Sequence, residues 1–157
     1  MKLYLVQHGE AKPKEEDSER PLTEKGLVDI TRTADWISIR SDVTVFVIAH
    51  SGKRRAEQSA AILAARLNPP RGCFKVNDLE PKADPNVWRD RANLMENDLM
   101  LVGHMPHLGR LASLLLTGSP DQSPVSFIHA GVVCLQKDDA ANWAVSWTAT
   151  PSDMTAG

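Results

Sequence analysis

The chain has 157 residues, 42% of them hydrophobic and 24% charged, which suits one globular domain with a single core over 1–157. Its net charge of -2 offers no electrostatic footprint for nucleic acid or a membrane surface, and no apolar run is long enough to span a bilayer. The two cysteines, Cys73 and Cys134, form no CxxC pattern, so the expectation is a reduced, cytoplasmic protein with structural thiols.

Leu3 to Val6 reads as a short buried strand, with no signal-peptide layout ahead of it. Glu10 to Pro21 is a loop by its cluster of proline and charge. Thr23 is suited to cap a helix in which Leu27, Ile30, Ala34 and Ile37 recur at helical spacing. Val43 to Ala49 is an apolar run typical of a central strand covered on both faces. Ala56, Ala60, Leu63 and Leu67 mark the buried stripe of a second helix, from about Lys53 to Leu67. After a loop at Pro69 to Gly72, Pro85 suits the first position of a third helix with Trp88, Ala92 and Met95 inward. Leu99 to Val102 is a strand, and Pro106 opens a leucine-rich helix to about Leu116. Gly118 to Pro124 is a loop. Ser126 to Gln136 and Trp143 to Thr148 read as two strands joined by a polar turn. The alternation of Trp143 and Trp147 puts both on one face, and the tail after about 150 is expected to fray. The order β-α-β-α-α-β-α-β-β argues for an α/β domain: three layers, a mostly parallel central sheet and an antiparallel edge.

In such sheets ligands bind beyond the carboxyl ends of the strands. The first strand delivers Gln7-His8-Gly9-Glu10 there. The second delivers His50-Ser51-Gly52 and then Lys53, Arg54 and Arg55 at a helix start. A later one delivers Gly103-His104-Met105-Pro106. A neutral imidazole is a good nucleophile toward phosphorus. A phosphoryl group in transfer spreads charge over three oxygens and needs fixed, preferably cationic, donors around it. Arg55 can give two parallel hydrogen bonds, and a protonated His104 a third.

These blocks resemble the motifs of the histidine phosphatase (phosphoglycerate mutase-like) superfamily. Leu5-Val6-Gln7-His8-Gly9-Glu10-Ala11 is similar to the Arg-His-Gly motif. Arg20-Pro21-Leu22-Thr23 with Gly26, Ser51 to Ser59, and Val102 to Pro106 resemble the later blocks, in family order over roughly two-thirds of the chain. The short length and the Arg55-Ala56-Glu57-Gln58-Ser59 wording look most like SixA-type phosphohistidine phosphatases. The resemblance implies a phosphoglycerate mutase-like fold and attack by His8 to give a transient phosphohistidine. It implies phosphoryl oxygens held by Arg55 and His104 (Arg20 either lining the pocket or a solvated loop charge), release by water, and no metal or organic cofactor. The implied partner is a phosphorylated histidine-containing phosphotransfer protein or a small phosphorylated substrate.

Gln7 stands where the family motif has arginine. It keeps a donor but loses the charge and the two-pronged geometry. Three outcomes follow: a slow enzyme, a missing charge supplied by Arg20, Lys53 or Arg54, or a module that binds phosphate or phosphohistidine without turnover. Glu80 is the candidate general acid, with Asp84 nearby; a solvated loop carboxylate is the competing reading of Glu80. A metal-dependent alternative would pair His104 with His107 or His50, without the usual ligand signatures.

Overall fold

A computed structural model of the chain describes residues 1–154. The elements are β1 Lys2–Gln7, α1 Glu24–Ser38, β2 Val47–His50, α2 Arg54–Leu67, β3 Cys73–Lys75, α3 Pro85–Leu94, β4 Leu99–Gly103, α4 His107–Thr117, β5 Val132–Lys137 and β6 Trp143–Ala149. They form one six-stranded sheet in the order β3-β2-β4-β1-β5-β6. β3, β2, β4 and β1 run parallel, and β5 and β6 add the antiparallel edge.

Helices cover both faces, which makes three layers. Tyr4 and Val6 of β1 pack against Ile30, Ala34 and Ile37 of α1 and Ala56, Ala60 and Leu63 of α2. Leu3 and Leu5 point the other way, against Trp88 and Ala92 of α3 and Leu108, Leu111 and Leu115 of α4. A strand buried on both faces has no polar position to alternate with, which is why β1 and β4 read as continuous apolar runs. Helix starts follow their sequence signals. Thr23 accepts the Gly26 N–H at 3.0 Å, and Asp84 accepts the Asn86 N–H at 2.9 Å with Pro85 in the first helical turn.

Six local expectations need correction. β3 is an additional strand. It has three residues, Phe74 and Lys75 are exposed, and only its pairing with β2 (Ile48 with Cys73) defines it, so no periodicity announced it. β2 begins at Val47 rather than Val43, and β5 begins at Val132 rather than Ser126, because left-handed Ala130 turns the chain just before it. Leu27 lies on the exposed flank of α1. Trp143 and Trp147 lie on opposite faces. A β-bulge skips Ser146, so Cys134 faces Trp147 while Leu135 faces Val145, and the extra residue inverts the alternation. Trp147 packs edge-on to Trp36, and the Trp143 indole N–H donates to Asn93 at 2.8 Å. Finally, the chain after Thr150 does not fray at once. Pro151–Asp153 form a 3₁₀ turn, with Pro151 and Met154 buried against the core; the rest of the expected tail lies outside the described residues.

Candidate active site

Sheet register assembles the site. β1 and β4 are parallel neighbours with Gln7 opposite Gly103, so the next residues, His8 and His104, leave the sheet at one level. The His8 N–H donates to the Gly103 carbonyl at 3.1 Å, and the two rings sit 4.9 Å apart between centroids. β2 pairs with β4 through His50 and Val102, which brings Ser51 level with Gly103 and within 2.6 Å of His104 Nε2.

His8 is 6% exposed. Its Nδ1 is 2.6 Å from the Gly9 carbonyl oxygen. A carbonyl only accepts, so Nδ1 carries the proton and Nε2 of the neutral ring keeps its lone pair. Burial lowers the His8 pKa to about 4, helped by the nearby Arg55, His129 and Arg20 charges and opposed by the Gly9 hydrogen bond. The ring is therefore a free base at neutral pH, the form a nucleophile needs.

His104 is 1% exposed, and burial, then His8 and Arg55, lower its pKa to about 3. Ser51 Oγ accepts the Lys53 N–H at 3.3 Å and can donate its own proton to His104 Nε2, 2.6 Å away. In that tautomer His104 carries its proton on Nδ1, a buried atom with no protein partner. The protein alone thus holds His104 as a neutral donor; a bound dianion would oppose both lowering effects.

Arg55 lies in the first turn of α2. Its Nε is buried without a partner, and it makes no ion pair among the described residues. Burial, then Arg20, lowers its pKa, which is the mark of a cation desolvated beside another cation. Arg20, in the left-handed conformation (φ 49°), donates its Nε–H to the Lys12 carbonyl at 3.1 Å. A cleft of about 540 Å³ opens there, lined by Arg20, Lys53, Arg54 and Arg55 together with Glu19 and Glu57. An excess of cations in one concavity on a chain of net charge -2 suits an anion.

Buried hydrogen bonds hold these parts in place. Ser59 Oγ accepts the Gly9 N–H at 3.0 Å and donates to the Arg55 carbonyl at 2.7 Å, which joins the His8 loop to α2. Gln58 accepts the Leu22 N–H at 2.8 Å. A Cβ at Gly26 would run into the Glu10 carbonyl, so α1 approaches the His8 loop as only glycine allows.

Gln7 ends β1 and is 9% exposed, with its Oε1 buried and unpartnered. Glu80 is an exposed carboxylate of the loop before α3. The adjoining Pro81 carbonyl accepts the His107 N–H at 3.1 Å, which sets Glu80 beside His107 at the start of α4. Burial lowers the His107 pKa to about 4, and Glu80 works against that. Asp84 is occupied as the α3 cap. His50 accepts the Gly52 N–H at 3.1 Å through Nδ1, and His104 Nε2 lies 2.6 Å from Ser51 Oγ. Among the described residues no group of three or more His, Cys, Asp or Glu converges to hold a metal.

Sequence reasoning missed His129. It precedes β5 in Phe127-Ile128-His129-Ala130-Gly131, with no motif around it, yet its ring lies 5.3 Å from that of His8. The signal is topological: β5 pairs with β1, so the residues before β5 return to the end of β1 where His8 stands.

No family model matches the sequence. An uncharacterized protein of Picosynechococcus sp. is 31% identical over 148 residues, covering 89% of this chain and 87% of that protein. Among solved structures, the protein histidine phosphatase SixA complexed with tungstate superposes with a TM-score of 0.85 at 22% identity, over 99% of this chain and all of that one. A mycobacterial glucosyl-3-phosphoglycerate phosphatase complexed with VO3 gives a TM-score of 0.71 at 15% identity, over 93% and 97%. The chain thus belongs to one family with the cyanobacterial protein, and its fold is that of the histidine phosphatase (phosphoglycerate mutase-like) superfamily, SixA among its neighbours.

Proposed function

We propose that the protein is a phosphatase that hydrolyses phosphoryl groups through a phospho-His8 intermediate, acting on protein phosphohistidine. The observation that carries the reading is the His8 tautomer: Nδ1–H is committed to the Gly9 carbonyl, and a neutral Nε2 is left free beside the unpaired Arg55. His8 Nε2 attacks phosphorus in line. Arg55 and the His104 Nδ1–H bind the equatorial oxygens, and Arg20 adds positive charge from the cleft. Water then releases phosphate and restores the free imidazole.

The neighbours SixA and the mycobacterial phosphatase are described with tungstate and VO3, tetrahedral or phosphate-like oxyanions, which supports an anion site on this fold. A partner-borne phosphohistidine suits the cleft, whose cationic lining is accessible from outside. The proposed partner is a phosphorylated histidine-containing phosphotransfer protein in the cytoplasm, with a small phosphorylated substrate as the other candidate. Among the described residues no helix is long and apolar enough to cross a membrane. Gln7 favours a second reading, a phosphate- or phosphohistidine-binding module with little turnover: its carbonyl oxygen is buried without a partner where a cation would have met the anion.

The test is incubation with a phosphorylated histidine-phosphotransfer domain, in the presence of a chelator, following free phosphate. Release that vanishes in His8→Ala supports the phosphatase. Saturable binding without release supports the binding module, and release that persists in His8→Ala would refute the role of His8.

A further inference from the structure

Two imidazoles lie near that of His8, His104 at 4.9 Å and His129 at 5.3 Å between ring centroids. The two differ in depth. His104 is 1% exposed, whereas His129 is exposed at the mouth of the site. The His129 loop is also fastened to the nucleophile's own backbone. Ala130, left-handed at φ 63°, donates its N–H to the carbonyls of Gln7 at 2.9 Å and His8 at 3.2 Å. The Ala130 carbonyl in turn accepts Thr33 Oγ1 at 2.7 Å, and the Gly131 N–H closes the turn on Ile128 at 3.0 Å. The two rings therefore keep a set separation.

In-line displacement decides which neighbour does what. The attacking nitrogen, phosphorus and the leaving atom lie roughly on a line. His8 is at the base of the site, so the leaving atom is on the far, solvent side of phosphorus. A buried group such as His104 reaches the phosphoryl oxygens; a group at the mouth reaches the leaving atom. Of the nearby carboxylates, Glu10 Oε2 accepts the Thr23 hydroxyl at 2.7 Å, and Glu80 is exposed beside His107. Imidazole is the side chain best suited to give and take a proton near neutral pH.

We propose that His129 is an additional catalytic residue, the proton donor to the leaving group and then the proton acceptor from the attacking water; this rests on the phosphatase reading above. In the first step the His8 Nε2–P bond forms and the bond from phosphorus to the leaving atom breaks. The bonding pair goes to the leaving atom, which takes the proton of protonated His129. In the second step water attacks phosphorus and gives its proton to the now neutral His129. The P–Nε2 bond breaks with its pair returning to His8, and phosphate departs. The enzyme ends as it began.

The experiment compares wild type, His129→Asn and Glu80→Gln on phenyl phosphate and on 4-nitrophenyl phosphate, whose leaving group departs without a proton. General acid catalysis contributes about 10²- to 10⁴-fold, so His129→Asn is expected to lose that much in kcat/KM, which reports the leaving-group step alone, on phenyl phosphate and at most a few-fold on 4-nitrophenyl phosphate. Equal losses in kcat/KM on the two esters would mean that His129 only binds or positions the phosphoryl group and would overturn the inference. So would a leaving-group-dependent loss in Glu80→Gln that His129→Asn does not show. Wild-type protein that forms no acid-labile phospho-His8 would overturn the phosphatase reading itself, and this inference with it.

Discussion

Ser59→Ala tests the joint between the nucleophile loop and the phosphate-binding helix. Ser59 is fully buried and its hydroxyl serves two backbone groups: it accepts from Gly9 N–H at 3.0 Å and donates to the Arg55 carbonyl at 2.7 Å. The Arg55 carbonyl is also within reach of its own helical partner four residues on. The Gly9 N–H has no such reserve, and an alanine methyl would leave it buried and unpaired. That costs roughly 1–3 kcal/mol. In a domain of this size about 1 kcal/mol moves Tm by ~2–4 °C, so the variant should melt some ~2–12 °C lower. Catalysis should suffer beyond stability, because Gly9 holds the His8 tautomer through its carbonyl and Ser59 fixes its distance from Arg55. Urea unfolding gives the first quantity, and kcat on 4-nitrophenyl phosphate well below Tm gives the second. A variant as stable as wild type would show that Gly9 N–H is satisfied without Ser59, and the argument from an unpaired buried donor would be wrong.

Gln7→Arg should raise kcat/KM by about 10- to 100-fold, the value of ~1.5–3 kcal/mol from a charge-assisted bond in the transition state. No change, or a fall, in the same ester assay would mean that Arg20, Lys53 or Arg54 already supplies the charge. Stability should decline on acidification before the carboxylates titrate. Burial holds His8 and His107 at pKa values of about 4 and His104 at about 3, whereas the same imidazoles in the unfolded chain protonate near 6.5. The unfolded state then binds more protons, so stability is full above about 6.5 and is lost progressively as pH falls toward these folded values. The urea midpoint should drop between pH 7 and pH 5; a midpoint that stays constant over that window would show that the three rings take up protons in the fold as readily as in the unfolded chain.

The candidate site shows how far local signals reach. His8, Arg55 and His104 were legible because each follows a strand with glycine beside it or opens a helix, and strand ends in an α/β sheet share one edge. The cap at Thr23 and the helix start at Pro85 were legible for the same local reason: a residue that satisfies or suits the first helical turn is written in the sequence, whereas Asp84 emerged as a cap only in the structure. Trp143 and Trp147 show the limit of alternation, since one bulge, dictated by the partner strand, reverses its parity. Glu80 shows the limit of family position, because its neighbour His107 is set by a bond from α4 to the Pro81 carbonyl.

The sequence by itself determined the layer architecture, through the apolar runs of β1 and β4 and the helical stripes between them, and it named His8 as the candidate nucleophile. Tertiary structure alone decided which groups surround that nucleophile. Whether Ser51 meets His104, Ser59 bridges Gly9 and Arg55, or His129 stands beside His8 depends on which strands are neighbours and in what register. The Ser59–Gly9, Ser51–His104 and His8–His129 contacts join residues 50, 53 and 121 positions apart in the chain, a separation over which no spacing rule carries information and only the packed sheet does.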